Sequence, residues 1–276
     1  VPKKLACGRQ RENLEESVGV PDLNAFSWPR LLTPGLLSLA VLSSCAAKPE
    51  TGIRVAVASN FRDVMADIAQ QFEEATGEKV SLISGSSGNH FSQIQNGAPF
   101  DAFFSADTLR PERLEKEGYG VPGSRFTYAK GRLVLWSSKV ASAPSAREHL
   151  LRASTPHLAI GNPELAPYGK AAKSYLENSD LWESWNKRLV FGENIAQTFQ
   201  FVASGSAELG LISASQKKSL PAGKAGTTWD IPERHHAPIL QQAILLSDNL
   251  SARKFFNFIQ GKEAHSIIQE FGYSLP

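Results

Sequence analysis

The stretch Val55-Ala56-Val57-Ala58-Ser59-Asn60-Phe61 decides the fold. Val55 to Ala58 are small and apolar, the composition of a short buried strand. Phe61, Val64, Met65, Ile68 and Phe72 then recur at helical spacing, so a helix begins at once. Asn60 is the expected N-cap, and Asp63 three residues on reinforces the start. A strand that runs straight into a helix leaves several backbone N–H groups pointing at one spot, which favours an anion. The rest of the chain is read as bringing further helix starts to that spot.

Downstream the alternation continues. Val80 to Ile83 reads as a strand, followed by Ser84-Gly85-Ser86-Ser87-Gly88-Asn89 and a short helix with Phe91 and Ile94 on one face. Ala102 to Phe104 is a third strand, with a helix around Pro111 to Glu117. This is the βαβαβα pattern of an open α/β sheet, whose ligands sit beyond the carboxyl ends of strands. Leu133 to Trp136 is expected to cross into a second lobe. That lobe holds strands at Leu158 to Ile160, Leu189 to Phe191 and Gly210 to Ile212. Pro167 opens one of its helices, and Asn194 with Gln197 forms a capping-box-like start to another. Ile239 to Leu246 reads as the return strand, and two apolar-faced helices end the chain. The region Gly223 to Gly226 reads as a surface loop.

The 276 residues are enough for two lobes, and a net charge of +2 with no basic run interleaved with aromatics gives nucleic acid no footing. Residues 31–42 are an apolar run too short to span a bilayer and of signal-peptide length. The run ends in Leu42-Ser43-Ser44-Cys45, which resembles a bacterial lipobox. That likeness implies cleavage before Cys45 and acylation of its thiol; an ordinary signal peptide cut nearby is the alternative. Residues 1–29 are long and mixed for the segment ahead of such a core, and part of them is expected to precede the true start. Of the two cysteines, Cys7 and Cys45, only Cys45 would survive cleavage, so no disulfide is expected. The expected division is a signal segment 1–45, a tether 46–52, lobe one from 53–132 plus 239–276, and lobe two from 133–238.

Ser59 and Asn60 alone read first as a plain helix cap, and Ser84 to Gly88 alone is equally a flexible turn. Together they suit an oxyanion, because glycine lets a backbone approach closely and each serine adds a donor. No Gly-Lys-Ser/Thr follows a glycine loop, and no G-x-S-x-G occurs, so a P-loop and a hydrolase elbow lack support. The pair His235-His236 diverges and has no carboxylate at zinc spacing, so no metal-cation site is expected. Asp101 and Asp107 are the nearest candidates for an enzyme on the same architecture.

Six segments in order then carry a family resemblance: VAVASNF, SGSSGN, NGAPFDAFFSAD, GSRFTYAKGRLVLW, GNPELAPYGKAAKSYL, and GENIAQ with GSAELGLIS. From about Ile53 to Pro276 the chain resembles the periplasmic molybdate-binding protein family of ABC transporters (the ModA family). The resemblance implies a two-lobed periplasmic binding protein fold of type II, α/β, with each sheet flanked by helices and the ligand in the cleft between lobes. It implies a monomer that takes molybdate or tungstate as ligand, needs no cofactor and hands its cargo to a membrane permease. It would work in the periplasm or, lipid-anchored through Cys45, at the outer face of the cytoplasmic membrane. In this family's pattern Ser59 and Asn60 would donate through backbone N–H and side chain, and Ser87 through hydroxyl and N–H. Tyr168 and Ile195 would each present a backbone N–H. Some members carry a tyrosine hydroxyl where this chain has Ser213, which leaves that residue without an assigned role. Both anions are fully deprotonated at neutral pH and need only donors, which helix ends supply without a buried Lys or Arg. Another tetrahedral oxyanion such as sulfate remains the alternative ligand.

Overall fold

The computed structural model describes residues 52–220 and 225–276. The expected signal segment with Cys45, the tether up to residue 51, and residues 221–224, which include the first half of the expected loop, lie outside the described residues. Strand β1 (Gly52–Ala58) passes through a 3-10 turn (Ser59–Phe61) into α1 (Arg62–Thr76). Then come β2 (Lys79–Gly85), α2 (Ser87–Gln95), β3 (Ala102–Ser105) and α3 (Leu109–Lys116). Strands β4 (Phe126–Gly131) and β5 (Leu133–Ser137) precede α4 (Ala146–Arg152). β6 (Leu158–Gly161) is followed by α5 (Pro167–Asn178) and the short α6 (Trp182–Trp185). β7 (Leu189–Gly192), α7 (Ile195–Ala203), β8 (Leu209–Ser213) and β9 (Thr227–Asp230) come next. β10 (Ile239–Leu245), α8 (Leu250–Ile259) and α9 (Lys262–Glu270) end the chain.

These strands form two five-stranded sheets, ordered β2-β1-β3-β10-β4 and β7-β6-β8-β5-β9, one in each lobe of an α/β fold. In the first, β1 runs parallel to β2 and β3, and β10 is antiparallel to β3 and β4. In the second, β6 runs parallel to β7 and β8, and β5 is antiparallel to β8 and β9. The two sheets therefore share one plan: β1 and β6 hold equivalent places, and so do β2 and β7. In both, helices leave the carboxyl ends of the parallel strands toward the same region, which is where open α/β sheets place ligands.

Each sheet has an apolar layer on both faces. The helical face expected from Phe61, Val64, Met65, Ile68 and Phe72 is buried, and it packs with Phe255, Ile259 and Ile268 of the last two helices. Phe72 meets Phe255 edge-on with ring centroids 5.1 Å apart, a contact of the favourable T-shaped kind. Gly77 ends α1 in the left-handed region at φ 72°, its N–H donating to Glu73 O at 2.8 Å.

The sequence pattern misses some elements. β4 lies one residue ahead of β5, but Lys130 and Gly131 interrupt its apolar alternation. α4 is short, with Arg147, Glu148 and Arg152 among its seven residues; Ser145 caps it by accepting from Glu148 N–H at 3.2 Å. The capping role expected of Asn60 is not the one it takes. The 3-10 turn moves the start of α1 on, so Phe61 holds the cap position and no side chain caps it.

Candidate functional site

Four strand-to-helix junctions converge between the lobes. The β1–α1 junction carries Ser59 and Asn60, β2–α2 carries Ser87, β6–α5 carries Tyr168, and β7–α7 carries Ile195. All five residues line one hollow, together with Gly85, Ser86, Asn194 and the segment Ala166-Pro167. Asn60, Ser87, Tyr168 and Ile195 are buried, and Ser59 is half-buried. The hollow is tight, a cavity of about 10 Å³. Pockets for drug-sized organic molecules run to about 300–1,000 Å³, so this one is too small for such a ligand.

The caps decide which N–H groups face the hollow. The first N–H groups of a helix have no acceptor inside it. Ser86 caps α2 by accepting from Asn89 N–H at 3.2 Å, which leaves the N–H of Ser87 at the helix mouth. The Ser87 hydroxyl oxygen accepts from Ala106 N–H at 3.0 Å; this fixes its position and keeps its own proton available. In α5 the first residue is Pro167, which has no N–H, so Tyr168 carries the first donor of that helix. Asn194 caps α7, its Oδ1 accepting from Ala196 N–H at 3.0 Å and Gln197 N–H at 3.1 Å, while Ile195 N–H opens the helix. The reciprocal arm of this box shifts by one residue, because Gln197 Oε1 accepts from Glu193 N–H at 2.6 Å. Ser59 Oγ lies 3.4 Å from Ala196 N, across the cleft, and accepts from it.

Asn60 departs from expectation. Both protons of its amide are engaged away from the hollow, with Nδ2 donating to Gln241 Oε1 at 2.7 Å and to Tyr273 OH at 2.9 Å. What Asn60 presents to the hollow is its backbone. Behind it runs a buried polar network that joins the lobes. Tyr273 OH donates to Asn60 O at 2.7 Å, and Ser215 Oγ donates to the same carbonyl at 3.2 Å. Ser213 belongs to this network and is fully buried. Its hydroxyl donates to Tyr168 OH at 3.1 Å, and its backbone N–H to Gln216 Oε1 at 3.0 Å in a capping box. Its place is therefore to hold Tyr168 and start a 3-10 helix, behind the hollow. Burial pushes the Tyr168 and Tyr128 hydroxyls well above their ordinary range, and raises that of Tyr273. All three stay protonated. Sequence reasoning missed Gln241 and Tyr273, which come from the other end of the chain. Their only sequence signal is polarity within a return strand and near the C-terminus.

Among the described residues, no charged side chain lines the hollow. Its polarity comes from helix starts and hydroxyls, which attract an anion without the desolvation cost of a buried cation. Asp101 and Asp107 lie elsewhere. Asp101 accepts from Arg54 N–H at 2.8 Å and Asn249 Nδ2 at 2.7 Å; Asp107 pairs with Arg110 and accepts from Ser105 Oγ at 3.1 Å. Among the described residues no group of three His, Cys, Asp or Glu side chains could hold a metal cation, and no helix is long and apolar enough to cross a membrane.

Comparison with known proteins bears on the same segment. A family model described as bacterial extracellular solute-binding protein matches residues 53–274. The molybdate-binding protein ModA of Azotobacter vinelandii is 45% identical over 239 residues, covering 86% of this chain and 94% of that one. Among solved structures, the A. vinelandii periplasmic molybdate-binding protein superposes with a TM-score of 0.76 at 38% identity, covering 81% of this chain and 99% of that chain. The substrate-binding domain of a putative molybdenum ABC transporter from Clostridium difficile superposes at 0.61 with 26% identity, covering 82% of this chain and 99% of its own.

Proposed function

The chain belongs to the bacterial extracellular solute-binding protein family, and from that premise we propose that it captures molybdate or tungstate and delivers it to an ABC transporter permease. The observation that carries this reading is the uncharged hollow lined by four helix-start junctions, two from each lobe. A fully deprotonated tetrahedral dianion needs donors only, and the lining offers donors without a carboxylate to repel it. The ligand residues in this reading are Ser59 and Asn60 through backbone N–H, Ser59 and Ser87 also through hydroxyls, and Tyr168 and Ile195 through backbone N–H. The likeness to molybdate-binding relatives supports the choice of ion.

The cycle follows from the geometry. Lobe one contributes Ser59, Asn60 and Ser87, and lobe two contributes Tyr168 and Ile195. Only a closed cleft has all five around one ion, so binding favours closure in proportion to its preference for that state. A permease can then read the closed shape. The protein performs no catalytic step in this account, and it works as a monomer outside the cytoplasmic membrane, anchored by lipid on Cys45. Mass spectrometry of the membrane-bound form tests that last point: a diacylated N-terminal Cys45 is expected, and a soluble product cut elsewhere overturns it.

Calorimetric titration with molybdate, tungstate and sulfate at neutral pH tests the ligand. Tight binding of the first two without sulfate competition is expected. Equal binding of sulfate would discard the metal-oxyanion assignment, and no binding of any of the three would discard the anion site.

A further inference from the structure

Beyond the hollow, the two lobes touch again at its rim. The N–H of Gly88, in the first turn of α2, donates to Leu165 O at 2.9 Å, across the cleft in the loop ahead of α5. Arg110 of α3 reaches over from the same side, its Nη2 donating to Glu164 O at 2.9 Å. None of these four residues lines the hollow. Yet Gly88 follows Ser87 directly, and Leu165 stands three residues before Tyr168.

Both partners are held ready for this contact. The Arg110 guanidinium is paired with the Asp107 carboxylate, which also accepts from Arg110 N–H at 3.1 Å and from Ser105 Oγ. On the other lobe, Asn162 folds the receiving loop: its backbone O accepts from Ala166 N–H at 2.8 Å and its Oδ1 from Glu164 N–H at 3.0 Å. The approach at Gly88 is too close for any side chain. A Cβ there would lie 2.9 Å from Leu165 Cα, 3.0 Å from Leu165 O and 3.2 Å from Arg110 Nη2. Glycine at this position thus serves the meeting of two backbones. The sequence alone suggested that it let a backbone approach the anion.

We propose that Gly88 and Arg110 form an interlobe latch with the 164–165 carbonyls, which holds the Ser87 and Tyr168 donors at their working separation and slows release of the ion. Both are positioning residues; neither touches the ligand. This rests on the ligand reading above. A latch that exists only in the closed state raises the closed fraction, so its loss lowers apparent affinity without changing which ion is preferred.

The test uses the full chain with molybdate and tungstate, read by stopped-flow release and calorimetry. Arg110→Ala is expected to speed release of both ions about tenfold, the scale of one hydrogen bond from a charged donor, with the ratio between the ions unchanged. Arg110→Lys, which can still donate to a carbonyl, should recover part of the loss. Gly88→Ala should weaken binding more than Arg110→Ala, because it wedges the rim open. Wild-type release rates in both Arg110→Ala and Gly88→Ala would overturn the latch, as would a change in ion preference. If the wild-type chain binds neither ion, the ligand reading fails by itself. Hydrogen exchange at the Gly88 amide then judges the latch: protection in the wild type that is lost in Arg110→Ala supports it, and equal exchange rates overturn it.

Discussion

Lobe one offers the hollow Ser59 and Ser87, whose hydroxyls stand beside their own N–H groups; lobe two offers Tyr168 and Ile195, whose side chains are buried in the second core. The sheets have the same plan, and the junctions correspond pairwise, β1–α1 with β6–α5 and β2–α2 with β7–α7. The difference lies in what each junction spends its side chain on. In lobe one the side chain can bind. In lobe two it packs, and in the proposed site that leaves only the backbone to bind. Alanine substitution can therefore probe lobe one but leaves the lobe two donors in place.

The largest effect is expected where the two lobes share a buried network. Asn60→Asp removes the donors to Gln241 and Tyr273 and sets a carboxylate against Gln241 Oε1. The cost should be about 3–5 kcal/mol of folding stability, as for other unpaired buried charges, together with loss of anion binding. Urea denaturation checks it, and a variant as stable as the wild type would show that this network does not join the lobes.

Ile195→Pro comes next and addresses lobe two directly. Proline is tolerated at the first position of a helix but lacks the N–H. Molybdate affinity should fall by about 1.5–3 kcal/mol, the worth of a hydrogen bond to a charged group. Ile195→Val, which keeps the N–H, should bind like the wild type. If both substitutions cost the same, packing rather than the backbone donor is at work. In lobe one, Ser87→Ala should weaken binding by about 1–3 kcal/mol through its hydroxyl alone. Unchanged calorimetric affinity would remove that hydroxyl from the site and make the two lobes alike.

The smallest effect is a pH dependence. His90 lies beneath the lobe one junction, its Nε2 3.2 Å from Val57 O. Burial holds its imidazole below the ordinary histidine range. As pH falls, the unfolded chain takes up this proton first, so the contribution is full above about pH 6.5 and declines below it. Thermal melts between pH 7.5 and 5 should show falling stability, with a shallower slope in His90→Gln. Identical slopes would mean that His90 does not carry the effect.

The two lobes were also unequally legible in the sequence. Ser59 and the Ser84 to Gly88 run are visible by residue type, because hydroxyls and glycines after a strand suit an oxyanion once the two segments are taken together. Tyr168 and Ile195 are not, since a backbone donor leaves no trace in its own side chain. Their signal sits one residue earlier, in Pro167 and Asn194, which set the helix starts. The alternation of strands and helices was readable from apolar periodicity, while β4 and α4 were hidden by charged residues at short elements. Asn60 looks like a cap in the sequence because its partners, Gln241 and Tyr273, are 181 and 213 residues away, and no local pattern encodes such contacts. The same holds for Gly88, whose need for glycine comes from Leu165 on the opposite lobe.

The most direct measurement is a crystal structure of the chain grown with molybdate, with the ion located by anomalous scattering at the molybdenum edge. A single ion between the lobes is predicted, within hydrogen-bond distance of the Ser59, Asn60, Ser87, Tyr168 and Ile195 N–H groups and with no charged side chain in contact. An ion held elsewhere, or held by a Lys or Arg side chain, would contradict the account.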